Sequence, residues 1–386
     1  MLPSLCTFLS AAAVLTATVH ALPQDGSGFG SSIYSTTSSF AVASASSTAS
    51  AAASTSTGAC NNSPDLCGRT YNNVTHMGAH DAAFLRDEST SNSIAGNQYY
   101  NATVALDTGL RLLQAQVHDL NGVIELCHTS CSLLDAGPLE AWLGDIKSWM
   151  DDNPNEVVTL LIVNSDSKDV AEFGSVFSSS GIDTYGYTPS GSGWPTLQEM
   201  ITANTRLVTF VASISANTEY PYLLNEFDHV FETAYDVTSL SGFNCTLDRP
   251  SSQASAGAAV AAGLLPLMNH FKYDLLAASI EVPDADNIGT TNSPLTSTAG
   301  NLGLHAQTCG DEWGTKPTFV LVDFFNEGPA VATADNMNGI EAVGRSTIAD
   351  TTVAVATSAA ATPPPRSSGM GTGALVAFLV ATLVLV

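Results

Sequence analysis

Between Tyr71 and Asn326 the chain alternates short apolar, β-rich runs with stretches of helical or loop-like pattern. Eight runs stand out: Tyr71–His76, Gly109–Val117, Val123–Leu126, Val157–Val163, Leu207–Val211, His229–Glu232, Leu264–Met268 and Phe319–Val322. The run from Val157 to Val163 is apolar almost throughout, as in strands buried on both faces of a parallel sheet. Between runs, Leu139, Trp142, Leu143, Ile146 and Met150 recur at helical spacing, with Pro138 at the start and Asn153-Pro154 beyond the end. Pro195 to Ile201 opens a second helix. This alternation predicts an α/β fold, a (β/α)8 TIM barrel that is incomplete or distorted where helices are missing. A doubly wound sheet is the weaker alternative, because no glycine-rich phosphate loop follows the first run.

The ends of the chain have a different character. Residues 1–21 read as a secretory signal, with an apolar core from Leu9 to Val19 and a small-residue exit at Val19-His20-Ala21. Residues 22–59 are mostly Ser, Thr, Ala and Gly, too polar to offset the entropy of ordering, and read as a disordered stalk. The folded part is expected over residues 60–342. A Ser/Thr/Pro-containing linker occupies 343–372, and the uncharged stretch 373–386 is too short to span a bilayer, which takes about 20 apolar residues. An apolar tail behind a polar spacer is the pattern of a glycosylphosphatidylinositol (GPI) signal, with Ser358 or Ser367 as attachment residue.

Once the leader removes Cys6, six cysteines remain, an even number in a secreted chain. Their spacing suggests Cys60–Cys67, Cys127–Cys131 and Cys245–Cys309, one of many possible pairings. Sequons at Asn61, Asn73, Asn101 and Asn244 fit an exported glycoprotein. A net charge of −25 with only 11 Lys and Arg excludes a nucleic-acid partner, which requires a basic face.

Reading each run to its C-terminal end collects the candidate chemistry, because reacting groups gather at that end of a barrel. The first run ends at His76, His80 and Asp81, the second at Gln116 and His118, and the third at His128. Asn164, Asn269, Lys272 and Asp323 follow at later ends. Two facing histidines suit acid–base work, since a pKa near 6.5 lets one accept a proton while the other donates.

Gly78-Ala79-His80-Asp81-Ala82-Ala83-Phe84, Gly109-Leu110-Arg111, Leu126-Cys127-His128 and Val320-Leu321-Val322-Asp323-Phe324-Phe325-Asn326 resemble the X-region barrel of phosphatidylinositol-specific phospholipases C. Trp194-Pro195-Thr196-Leu197 and Met268-Asn269-His270-Phe271 bring the chain closer to the secreted phospholipase C-like phosphodiesterases of fungi. The resemblance runs from about Cys60 to Gly339. It implies that His80 is the general base, His128 the general acid, Asp323 the carboxylate that orients His80, and Asp81 the acidic neighbour of the base. The implied substrate is an inositol phospholipid or a related glycerophosphodiester.

Two departures shape the expectation. Animal members of the resembled group have acidic calcium ligands at the positions of Gln114 and Gln116, so no metal and no cofactor are expected here. Bacterial members have an arginine at the position of Gln116. Lys272 is the candidate to supply that charge, whereas Arg206 starts a strand at the barrel's bottom and Arg111 is read as structural. Gln116, Asn164, Asn269 and Lys272 are the candidate substrate contacts. The expectation is a monomeric, metal-independent phosphodiesterase reaching the membrane through its anchor; the rival is an inactive barrel that binds a ligand or serves in the cell wall.

Overall fold

A computed structural model describes residues 58–348, except 192, 278 and 279. The leader, nearly all of the stalk, the GPI-attachment serines and the tail lie outside the described residues. Eight strands run parallel: β1 (His76–Ala79), β2 (Leu112–Leu120), β3 (Val158–Asn164), β4 (Leu207–Val211), β5 (Leu223–Asn225), β6 (Val230–Thr233), β7 (Leu265–Asn269) and β8 (Phe319–Val322). They pair in the order β5-β4-β3-β2-β1-β8-β7-β6. A closed barrel would also pair β5 with β6, and among the described residues it does not. The short helix Glu226–His229 spans that gap. The free edge of β6 pairs instead with an antiparallel strand, Leu247–Arg249, which sets Arg249 opposite Glu232.

Two of the eight predicted runs are placed differently. Val123–Leu126 is not a barrel strand; it folds back antiparallel on the extended end of β2, with Val117 opposite Leu126. The missing barrel strand is β5, only three residues long, and no periodic signal marks so short a strand. In the first run Tyr71–Asn73 is a 3-10 turn and the strand begins at His76. His76 therefore sits at the bottom of the barrel rather than at its mouth. Its ring bonds the carbonyl of Tyr71, and burial holds its pKa down near 4.

The strand pattern works on both faces. Leu112, Leu161, Phe210, Leu267, Phe319 and Leu321 come from five strands and fill the barrel interior. Leu113, Leu160, Ile162, Met268 and Val320 point the other way, against the outer helices Leu139–Asp152, Val170–Ser180 and Leu302–Trp313. Alternation of this kind leaves no strand face to water, which is why the runs read as continuously apolar. Gly78 shows how tight the inner packing is. A Cβ there would lie 2.7 Å from the Leu112 side chain, so glycine lets β1 and β2 approach.

All three disulfides suggested by the spacing are formed: Cys60–Cys67, Cys127–Cys131 and Cys245–Cys309. The sequon residues divide. Asn73, Asn101 and Asn244 are exposed, but Asn61 is buried and its amide pairs with both backbone groups of Val157. A glycan on Asn61 is incompatible with this fold. The ordered chain also runs past residue 342, where the linker was expected to begin. The Val343 amide bonds the Asn62 carbonyl, and Arg345 forms a two-pronged ion pair with Asp335.

Arg111 and Arg206 are structural, as expected from their position before strand starts. The buried Arg111 guanidinium bonds Glu156, Asn62 and the carbonyls of Leu106 and Leu110. Arg206 bonds the carbonyl of Met150, near the end of the helix Leu139–Asp152. Removing one partner of a buried ion pair leaves an uncompensated charge, so R111A should cost about 3–5 kcal/mol. Urea unfolding checks this, and a loss below about 1 kcal/mol, the range of surface pairs, would mean that the network is not holding the barrel's bottom.

Candidate active site

The mouth of the barrel holds a cavity of about 230 Å³. His80, Asp81, Gln114, Gln116 and His128 line one side, and Glu232, Arg249 and Asn269 the other. His80 and Asp323 extend past the ends of β1 and β8, which pair directly, with Ala79 opposite Val322. That register brings His80 Nδ1 to 2.8 Å from Asp323 Oδ1. With Nδ1 engaged there, Nε2 is the ring nitrogen left for the cavity.

His128 arrives by another route. It follows the hairpin strand Val123–Cys127, inside the loop closed by Cys127–Cys131. Its Nε2 lies 3.5 Å from Asp81 Oδ2, and His80 Nε2 lies 3.6 Å from the same oxygen. Both imidazoles thus face one oxygen of the Asp81 carboxylate.

A supporting layer holds this arrangement. Asn97, fully buried, donates to Asp323 Oδ1 at 3.1 Å. Gln98 donates to the carbonyls of His80 and Val322 and accepts from the Phe325 amide, tying the two strand ends together. Phe271 stacks flat on the His80 ring, 3.6 Å between centroids. Gln114 accepts from the Asp81 amide, and Gln116 accepts from the Thr129 amide at 2.8 Å while donating to Ser165. The two glutamines therefore hold the loops that carry Asp81 and His128. Asp81, Thr129 and Phe324, which follow His80, His128 and Asp323, all have left-handed backbone; for a phenylalanine this is a genuine outlier. Strain of this sort persists where the surroundings over-determine a site.

Electrostatics favour a proton on His80. Burial alone would lower its pKa, but the carboxylates of Asp81 and Asp323 outweigh it and raise the ring above its ordinary value. Across the cavity, burial pushes the Glu226 carboxyl well above the usual carboxylate range, and neighbouring Glu232 adds to the rise. Burial also works against the Glu232 charge, yet bonds from Glu226, Arg249 and Asn269 hold its pKa low. The two shifts run in opposite directions, favouring the charge on Glu232 over Glu226.

The other sequence-predicted contacts divide. Gln116 and Asn269 line the cavity, Asn269 donating to Glu232 Oε2 at 3.1 Å. Lys272 is not the missing cation: its buried ammonium is held by Asp274 at 2.8 Å and Asp284 at 2.7 Å. Asn164 is not a substrate contact either, since its amide closes the turn to Lys168. His118 pairs with Asp166 away from the cavity. Glu232 was read only as a strand end, and Arg249 and Asn97 were not read at all. An asparagine and an arginine in loops and edge strands carry no periodic signal that would single them out.

The PI-PLC X family matches this sequence over residues 66–338. A PI-PLC X domain-containing protein 1 from Arthroderma benhamiae is 37% identical over 287 residues, which cover 73% of this chain and 90% of that protein. The chain belongs to the PI-PLC X family. A second A. benhamiae relative, named only as an uncharacterized secreted protein, is 35% identical across 72% of this chain and 61% of its own length. Among solved structures, the phosphatidylinositol-specific phospholipase C from Listeria monocytogenes matches with a TM-score of 0.47 at 14% identity, covering 72% of this chain and 96% of that one.

A calcium site of the kind that acidic residues on β2 would build does not fit this member. Gln114 and Gln116 are neutral, and their amide oxygens are already bonded to Asp81 and Thr129 amides. The proton on His80 can be followed directly. By NMR its ring should titrate above 6.5, and D81N should lower the midpoint, because a carboxylate 3.6 Å away favours the imidazolium. A midpoint that stays put in D81N would remove Asp81 from this electrostatic role.

Proposed function

We propose that this chain is a phosphodiesterase of the phospholipase C kind, cleaving an inositol phospholipid or related glycerophosphodiester without a metal ion. The observation that carries the reading is the convergence of both Nε2 atoms on Asp81, with Asp323 behind His80. In its neutral form His80 takes the proton of a substrate hydroxyl through Nε2. The freed oxygen attacks phosphorus, the bond from phosphorus to the glycerol oxygen breaks, and protonated His128 gives that oxygen its proton. Asp323 fixes the His80 tautomer and stabilises the imidazolium that forms.

His80 must lose its proton before it can act as base. The acid limb of kcat/KM should therefore fall above pH 6.5, matching the raised pKa of the ring. The secretory leader, the three disulfides and the name of the second A. benhamiae relative support an extracellular setting, and the terminal apolar tail supports an anchored monomer that meets its substrate at a membrane.

With purified protein and phosphatidylinositol, diacylglycerol release should persist in EDTA. H80A and H128A should each lower kcat by about 10²- to 10⁴-fold. EDTA-sensitive turnover would overturn the metal-free mechanism. No release from any phosphodiester tested would leave the barrel as a binding protein.

A further inference from the structure

A phosphodiester carries a negative charge into a cavity already lined by Asp81 and Glu232, with Asp323 behind His80. Some cation must offset that charge as it builds on the phosphoryl oxygens. The neutral Gln116 cannot, and Lys272 is committed to two carboxylates. Among the described residues lining the cavity, Arg249 is the one permanent cation.

The position of Arg249 follows from the open barrel. Because β6 has a free edge, the strand Leu247–Arg249 adds to it and ends at the mouth. The guanidinium is held between the rings of Tyr235, at 4.6 Å, and Phe227, at 5.6 Å. One of its five N–H groups is bonded, from Nη2 to Glu232 Oε2 at 2.6 Å. Nε is buried with no partner among the described residues, and the side chain as a whole remains 38% exposed. A purely structural ion pair would be expected to use the fork on both prongs, as Arg345 does with Asp335. Burial and the neighbouring Glu232 favour the protonated form of Glu226, which weights the negative charge beside the guanidinium toward Glu232. The cation is therefore positioned and only partly spent.

We infer that Arg249 binds a non-bridging oxygen of the substrate phosphate, supplying from the edge of β6 the positive charge that β2 lacks. The inference rests on the phosphodiesterase reading for its role in turnover, but not for the binding itself. A guanidinium reaching across from the far wall leaves the space between His80 and His128 for the attacking and leaving oxygens. It also explains how β2 can use two glutamines to hold loops rather than to contact phosphate.

The test compares the full-length protein with R249Q. Inorganic phosphate binding, followed by calorimetry, should weaken at least about tenfold in R249Q, and kcat on phosphatidylinositol should fall about 10²-fold, the usual loss when one oxyanion-binding donor is removed. If R249Q fails to fold, R249K keeps a cation beside Glu232; its point charge cannot reproduce the planar fork, and phosphate affinity should still drop several-fold. Unchanged phosphate affinity in R249Q or R249K, or no phosphate binding by the wild type, overturns the inference. Arg249-dependent phosphate binding without turnover would keep it and remove the enzyme reading instead.

Discussion

The hydrogen bond between His80 and Asp323 is the constraint on which the site depends. It joins residues 243 positions apart in the chain, and it exists because β1 and β8 are neighbours with Ala79 level with Val322. A one-residue slip of either strand would turn every side chain to the opposite face and separate the pair. Much of the barrel serves to prevent that slip. The inner core from five strands fixes the register, and Asn97 and Gln98 bond across both strand ends where the strands themselves stop.

The second acid–base group is held by different means. His128 stands outside the barrel strands, on a hairpin that extends β2, and a flexible loop there would not aim an imidazole. Two devices stiffen it: the Cys127–Cys131 disulfide closes the loop, and Gln116 bonds the Thr129 amide from below. On β2, Gln116 thus supports the loop that carries His128 in place of presenting a charge to the cavity.

That exchange is coupled to the open seam. A barrel closed between β5 and β6 would give β6 a parallel partner and leave no edge for Leu247–Arg249. The incomplete closure therefore admits one extra strand, and with it the cavity's one permanent cation among the described residues. In the buried Glu226–Glu232 pair, burial and the neighbouring carboxylate favour a proton on Glu226 while Arg249 and Asn269 favour the charge on Glu232.

Much of this was legible in the linear chain. Continuous apolar runs identify strands buried on both faces, and reading their ends puts His80 and Asp323 among the candidates; the resemblance to the phospholipase C barrel singles out those two together with His128, whose run is not a barrel strand. Cysteine spacing suggests the three disulfides that form, one set among the 15 that six cysteines allow. What the chain could not show is which runs pair with which. Val123–Leu126 has the composition of a barrel strand yet turns back on β2, while Leu223–Asn225 is too short to register as a strand at all. Nor could it show where a long side chain ends: Lys272 is drawn to two carboxylates, and Arg249 enters from an edge strand outside the strand–helix count. Periodicity is a local property and reports burial. Pairing, register and the partners of a charged group are settled by residues far away in sequence, so only the folded barrel decides them.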